Sequence, residues 1–326
     1  MQAEADSALQ TIACDDLDAA IALQEREHGY RLDMVMPADA PRIALLSRGG
    51  DQLRLQRRDT SSRAGASTNE PRAFTITHAR DDMAWSIGRA GMQYRDLIPG
   101  RLGGRAIASH IRIPEGGDVP DRVHYHDVHF QMIFCRKGWV RVVYEDQGPP
   151  LTMRAGDCVL QPPTIRHRVL EASPGLEVVE LACPAEHPTW IDHELALPTA
   201  RNDPARSFAG QRFLHHVANE AAWLDSDASG VHLSDLGIAE ATSGLAGARV
   251  LRLMAGTELS LASPTFDAAQ RGALFLYVLD GSAILHDDAS GHHAMDRDSA
   301  CTILNGAPVS IRAANHCELL AVALPA

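Results

Sequence analysis

A chain of 326 residues, 45% of them hydrophobic, is long enough for two or three domains and apolar enough to bury substantial cores, which excludes disorder as its dominant state. Its 42 Asp and Glu against 30 Lys and Arg give a formal net charge of −12, so a general attraction to nucleic acid or to an anionic membrane is not expected. No apolar run is long enough to span a bilayer, and Lys137 is the only lysine, so the arginines reflect composition and a single one is a weak signal.

The N-terminus, "MQAEADSALQTIACDDLDAA", lacks a basic region followed by an apolar one. Cys14, Cys135, Cys158, Cys183, Cys301 and Cys317 form no CxxC pair and fit free buried thiols in a reducing compartment. A cytoplasmic protein is the expectation. The first elements read as a strand over Thr11–Cys14, a helix over Asp16–Glu27 and strands over Tyr30–Val35, Arg42–Ser47 and Gln52–Gln56. Asp15 or Asp16 caps the helix and "HGY" ends it.

This stretch, "DDLDAAIALQEREHGYRLDMVMPADAPRIALLSRGGDQLRLQ", resembles one βαβββ module of the glyoxalase and extradiol-dioxygenase superfamily, and residues 1–58 are assigned to it. The family places a metal-binding His at the start of the first strand and a Glu on the last. Here Leu9 or Gln10 and Arg54 or Gln56 stand in those neighbourhoods, so the module is expected to serve packing or dimerisation. Its open sheet needs cover, and a homodimer is expected.

Residues 57–72, "RRDTSSRAGASTNEPR", have linker composition, and 59–104 are read as a linker and extension. From Phe74 onward, short Val, Ile and Leu runs separated by Gly and Pro turns predict a sandwich or barrel, interrupted at 191–211. The fold class expected is therefore mainly β after a small α+β module.

In "VHYHDVHFQMIFCRKG", Val123–Gly138, a strand places His124 and His126 on one face, with Arg122 on the same face nearer the start. Tyr125 and Asp127 face away, and His129 is out of phase. Two imidazoles at i and i+2 chelate a divalent ion but leave its shell incomplete. The downstream segment "AGDCVLQPPTIRHRV" offers His167 as a third ligand if the sheet folds back on itself.

These two segments resemble the motifs of the cupin superfamily. The first family motif, G(X)5HXH(X)3,4E(X)6G, is matched by Gly117, His124, His126, Gln131 and Gly138, with one extra residue after the first glycine and Gln for Glu. The second, G(X)5PXG(X)2H(X)3N, is matched by Gly156, Pro162, Thr164, His167 and Glu171, with Thr for Gly and Glu for Asn. The resemblance implies two jelly-roll barrels, at 105–190 and 212–326. It also implies one divalent metal at His124, His126 and His167, with Gln131 as a weak carbonyl ligand or a donor to substrate. Fe(II) is expected first, with Zn, Ni or Mn as alternatives.

"LFLYVLDGSAIL" in the second half echoes "MIFCRKGWVRV" and aligns Gly281 with Gly138. Asp267, Ala269 and Leu274 then stand for His124, His126 and Gln131, and Pro308 or Ser310 for His167, so this half is expected to be structural.

A three-histidine shell leaves the ion formally at +2 with up to three open positions, and Gln131 cannot act as a general base. The resemblance and ligand set imply a mononuclear non-haem Fe(II) dioxygenase acting on a small chelating substrate: a diketone, hydroxy acid or catecholic compound. The alternatives are a redox-neutral Zn or Ni isomerase, lyase or ring-opening enzyme on a sugar-acid-like substrate, or a non-catalytic small-molecule-binding cupin. Gln131 and Arg122 are the candidate catalytic residues, Arg122 as partner to a substrate carboxylate. Ile111 and Ile113 are expected to point inward in preference to His110 and Arg112. Cys135, Tyr144 and Gln161 are further candidates for the cavity wall.

Overall fold

The computed structural model describes residues 9–58, 74–79, 85–88, 91–261, 271–287, 290–304 and 307–325. Asp16 accepts a hydrogen bond from the Ala19 amide at 2.9 Å and so starts helix α1 (Leu17–His28), and Gly29, in the left-handed region at φ 69°, ends it. Strands β1 (Gln10–Cys14), β2 (Arg31–Met36), β3 (Ile43–Arg48) and β4 (Asp51–Arg57) form a sheet ordered β1-β4-β3-β2, with β1 parallel to β4. Leu17 and Ile21 of α1 close over Leu46, Leu53 and Leu55. The element order is that expected for a βαβββ module.

The next strands in chain order are β5 (Phe74–Thr77), β6 (Ser86–Ile87) and β7 (Gln93–Asp96), followed by the short α2 (Arg101–Gly104). The first barrel continues with β8 (Ile107–Ile113), β9 (Gly117–Asp118), β10 (His124–His126), β11 (Phe130–Lys137), β12 (Trp139–Tyr144) and β13 (Leu151–Arg154). It is completed by β14 (Cys158–Leu160), β15 (His167–Ala172), β16 (Leu176–Cys183) and β17 (Thr189–Ile191). One wall runs β17-β10-β15-β12-β13 and the other β14-β11-β16-β8-β7-β6. The N-terminal module is joined to the first wall, because β2 pairs with β17 through Val35 with Thr189 and Met34 with Trp190. Among the described residues, β1 is the module's free edge.

The remaining strands are β18 (Ser207–Phe208), β19 (Gln211–Arg212), β20 (Leu214–His216), β21 (Leu224–Asp225) and β22 (Val231–Asp235). After α3 (Ile238–Ala241) come β23 (Gly247–Leu253), β24 (Glu258–Ser260), β25 (Arg271–Asp287), β26 (Gly291–Asp296), β27 (Ala300–Leu304) and β28 (Val309–Pro325). Most of these form the second barrel around Leu251, Leu276, Leu285, Ile311 and Leu319. Two strands are exchanged. The early β5 pairs with β27 of the second barrel, and β20 pairs with β14 of the first. Both lie in segments read from the sequence as outside the barrel they complete.

The barrels pack face to face. Phe130, Met132 and Phe134 on β11 and Val179 and Leu181 on β16 share one core with Phe275 and Tyr277 on β25 and Leu320 and Val322 on β28. Alternate residues of the same strands point the other way, Cys135 on β11 and Leu176 and Val178 on β16 lining the first barrel's interior. Burial on both faces makes β11 and β16 largely apolar, at about 1.5–3 kcal/mol for each large side chain removed from water.

The aligned glycines take the same conformation, Gly138 at φ 78° and Gly281 at φ 74°, and a Cβ on Gly281 would fall 2.0 Å from the His316 carbonyl oxygen. Leu274 is core. Ser310 donates to Glu258 at 2.8 Å, Pro308 is exposed, and Asp267 and Ala269 lie outside the described residues. No helix among the described residues is long and apolar enough to cross a membrane.

Candidate metal centre

Three histidines meet inside the first barrel. His124 and His126 occupy alternate positions on β10, and β15 runs antiparallel beside it with His167 directly opposite His124. Ring centroids lie 4.2 Å apart for His124 and His167, 5.2 Å for His124 and His126, and 5.3 Å for His126 and His167. Each offers one ring nitrogen within 4.8 Å of the others, and all three side chains are buried. The Pro162-Pro163 corner brings the chain back from β14 to β15.

The donor chemistry fits a divalent ion. His124 Nδ1 donates to the Arg122 carbonyl at 2.8 Å and His167 Nδ1 to the Ile165 carbonyl at 3.1 Å. His126 Nδ1 lies 3.0 Å from Thr189 Oγ1, which faces it from β17. With these oxygens accepting, Nδ1 carries the proton in each ring, which leaves Nε2 as the atom that a neutral ring would offer to a metal. Asp121, fully buried, stands 3.6 Å behind His124 Nδ1 and is fixed by the amides of Arg122 and Val169.

A cavity of about 80 Å³ opens from His126 and His167 into the barrel, walled by Ile111, Ile113, Val140, Val142 and Val178. Besides the histidines its polar groups are Tyr94, Gln131, Tyr144, Gln161 and Glu180, and among the described residues no Lys or Arg lines it. The isoleucines point inward as expected, while His110 faces the second barrel, held between Arg95 and Glu177. Gln131 Nε2 donates to Glu180 Oε1 at 3.1 Å. Burial pushes the Tyr144 phenol up, so it stays protonated and donates to Gln161 Oε1 at 3.2 Å. Cys135 is a buried structural thiol pushed up to about 12 by burial.

Arg122 does not enter this cavity. Regular strand begins only at His124, so the alternation that put Arg122 on the ligand face does not extend back to it. Its guanidinium pairs with Glu25 of α1 at 3.0 Å and is half exposed, its carbonyl oxygen accepts from His124 Nδ1, and the residue lines with His124 and Thr189 a second cavity of about 410 Å³. His129 is exposed and holds the loop through backbone bonds to Cys183 and Gln211.

Sequence reasoning missed Glu180, Asp121, Thr189 and His187. The last is buried, has its ring edge-on to His126 with centroids 5.5 Å apart, and is lowered in pKa chiefly by burial. The signal for Glu180 was present: it shares parity with the inward Leu176 and Val178 in the otherwise apolar run "LEVVELAC".

Two face-packed jelly-roll barrels, one holding three converging histidines, define a two-barrel β protein built around a metal-type centre. Residues 109–182, within the first barrel, match the family model described as a cupin domain. No curated protein matches it. Among solved structures it is similar to a salicylate 1,2-dioxygenase from Pseudaminobacter salicylatoxidans (TM-score 0.53, 15% identity, covering 70% of this chain and 75% of that one). It is similar also to a variant of an oxalate decarboxylase from Bacillus subtilis (TM-score 0.54, 10% identity, 77% of each chain). A third likeness is to a protein from Pseudomonas aeruginosa described as glyoxylate-induced (TM-score 0.54, 12% identity, 77% of this chain and 88% of that one). At these identities the likeness is one of fold.

Proposed function

We propose that the chain is a mononuclear non-haem Fe(II) dioxygenase whose substrate is a small molecule that chelates through two oxygens, a diketone or hydroxy acid ahead of a larger catecholic ring. The observation that carries this reading is the convergence of three imidazoles whose Nδ1 atoms each meet an oxygen. Such a neutral set leaves up to three octahedral positions for substrate and dioxygen. When bound, Fe(II) supplies Lewis-acid activation of the chelate and a binding position for oxygen, and Zn, Ni or Mn fit the same donors.

The chain's own residues select and prepare the substrate. A cavity of about 80 Å³ is far smaller than the roughly 300–1,000 Å³ of sites for drug-sized ligands, which favours a substrate of few heavy atoms. The apolar wall receives its hydrocarbon part, and with no Lys or Arg in the lining its negative charge belongs at the histidine end. Gln131 acts by position, its amide holding Glu180 Oε1 so that the carboxylate can accept the proton an enol or hydroxyl loses on chelation. Arg122, paired with Glu25, takes no part. The exposed Ile12 on free edge β1 supports the homodimer that goes with this reading, and a cytoplasmic location goes with its free cysteines.

The same carboxylate favours a second reading, in which Glu180 and a Zn or Ni centre perform isomerase or lyase chemistry without oxygen. Protein loaded anaerobically with Fe(II) and given oxygen with a panel of diketones, hydroxy acids and catecholic compounds is expected to consume oxygen in step with substrate. Absence of uptake across the panel refutes the dioxygenase, and full turnover of the Zn form without oxygen moves the assignment to the second reading. Glu180→Gln is expected to lower kcat by about 10²–10⁴-fold with metal content unchanged.

A further inference from the structure

We propose that the fourth protein donor of this centre is the side-chain oxygen of Gln161, not a group at the position of Gln131. The inference rests on the metal-centre reading above and deepens it. Gln161 follows β14, is buried, and is pinned by its amide N–H donating to the Gln131 carbonyl at 2.9 Å. Its side-chain nitrogen lies 2.9 Å from His167 Nε2, the nitrogen whose lone pair a metal would use. His167 Nδ1 is committed to the Ile165 carbonyl, and the Gln161 side-chain nitrogen, 3.5 Å from Nδ1 as well, lies beside the ring next to Nε2.

The two ends of a carboxamide are nearly the same size, and a phenol oxygen both donates and accepts. Turning the Gln161 amide by half a revolution puts Oε1 where the nitrogen was and lets the nitrogen donate to Tyr144 Oη, now 3.2 Å from Oε1. Two donors on adjacent octahedral positions, each about 2.1 Å from the ion, stand about 3.0 Å apart. The observed 2.9 Å from the Gln161 amide to His167 Nε2 matches that spacing, and a rotation of the Gln161 side chain towards the Nε2 lone-pair axis completes the fit. Gln131 is not comparably disposed, since its amide nitrogen is engaged with Glu180 on the neighbouring strand. A neutral carbonyl oxygen is a weak ligand that a chelating substrate displaces, and the amide on release returns to its place beside the His167 ring.

Co(II) affinity, measured by chelator competition on otherwise native protein, tests the assignment through its sign. If Gln161 is a ligand, Gln161→Leu weakens binding by about tenfold or more, a loss of the size that removing groups around metal sites produces. Gln161→Glu strengthens it by supplying a charged oxygen, and Tyr144→Phe, which retains the ring, weakens it by less than Gln161→Leu. If Gln161 merely competes for the His167 lone pair, Gln161→Leu binds Co(II) as tightly as wild type or more tightly, and the proposal is overturned while the three-histidine centre stands. Thermal melts of the metal-free variants check folding. Should Gln161→Leu not fold, unchanged affinity in both Tyr144→Phe and Gln161→Glu overturns the proposal. Failure of the wild type to bind Co(II) overturns the metal centre itself.

Discussion

Thr189 gives the most direct way to measure what the surroundings of the histidines contribute. Its hydroxyl lies 3.0 Å from His126 Nδ1, its side chain is fully buried, and its backbone sits between β10 and β2. Thr189→Val keeps the shape and the strand pairing while removing the oxygen. A buried N–H that loses its acceptor costs about 1–3 kcal/mol, and the outer hydrogen bond of a metal-bound histidine is worth about 10–100-fold in affinity, or roughly 1.4–2.7 kcal/mol. The two routes to the magnitude agree. Chelator competition with Zn(II) is therefore expected to show a dissociation constant about 10–100-fold higher. The metal-induced gain in unfolding free energy should fall by the same roughly 1.4–2.7 kcal/mol. Thr189→Ser, which retains the hydroxyl, should restore most of the affinity. If Thr189→Val binds within about twofold of wild type while Thr189→Ser does not differ from it, the bond does not hold the His126 tautomer and the geometric argument for the centre is wrong.

Two further outcomes concern stability. The hydrogen bond from His110 holds the Glu177 carboxyl down at about 2 against an ordinary 4.5, so its contribution is full above pH 4.5 and is lost as pH falls towards 2. Glu177→Gln should lower the urea midpoint at neutral pH and flatten its fall across that window, and an unchanged acid limb would refute the role. Thr164 stands where the cupin motif carries glycine and is held at φ 64°, a strained conformation for a β-branched residue, with its side chain exposed. Thr164→Gly should stabilise the protein by about 0.5–2 kcal/mol, the relieved strain less the entropy glycine loses on folding, and a lower melting temperature would count against it.

What the sequence made legible depended on whether local chemistry or long-range pairing decided the outcome. The Asp16 cap, the Gly29 stop, the inward isoleucines and the same-face pair His124 and His126 all follow from period and capping within one element. His167 was reachable through motif spacing. Arg122 lies outside the cavity that Gln131 and Glu180 line, and a period-two argument could not place it, because it holds only inside a strand and β10 is three residues long. Glu180 meets Gln131 across a ladder joining residues 49 positions apart, which no periodicity reveals. The exchanged strands β5 and β20 are four and three residues long, too short for a pattern to assign them to one barrel or the other.

The parts of the chain without ligands reach the site through its own strands. The N-terminal module pairs β2 with β17, and β17 pairs residue for residue with β10, setting Thr189 against His126. The second barrel covers the outer face of β11, where Phe130, Met132 and Phe134 alternate with the inward Gln131 and Cys135. Beyond the 191–211 segment, β20 pairs with β14, the strand that leads into Gln161. A one-residue slip of β11 would send Gln131 into the interface between the barrels and an apolar neighbour towards the histidines. Burying Phe130, Met132 and Phe134 against the second barrel opposes that slip by several kcal/mol, since each contributes about 1.5–3. The apolar contacts between barrels are thereby part of what holds Gln131 on Glu180, and a second barrel needs no metal of its own to do this.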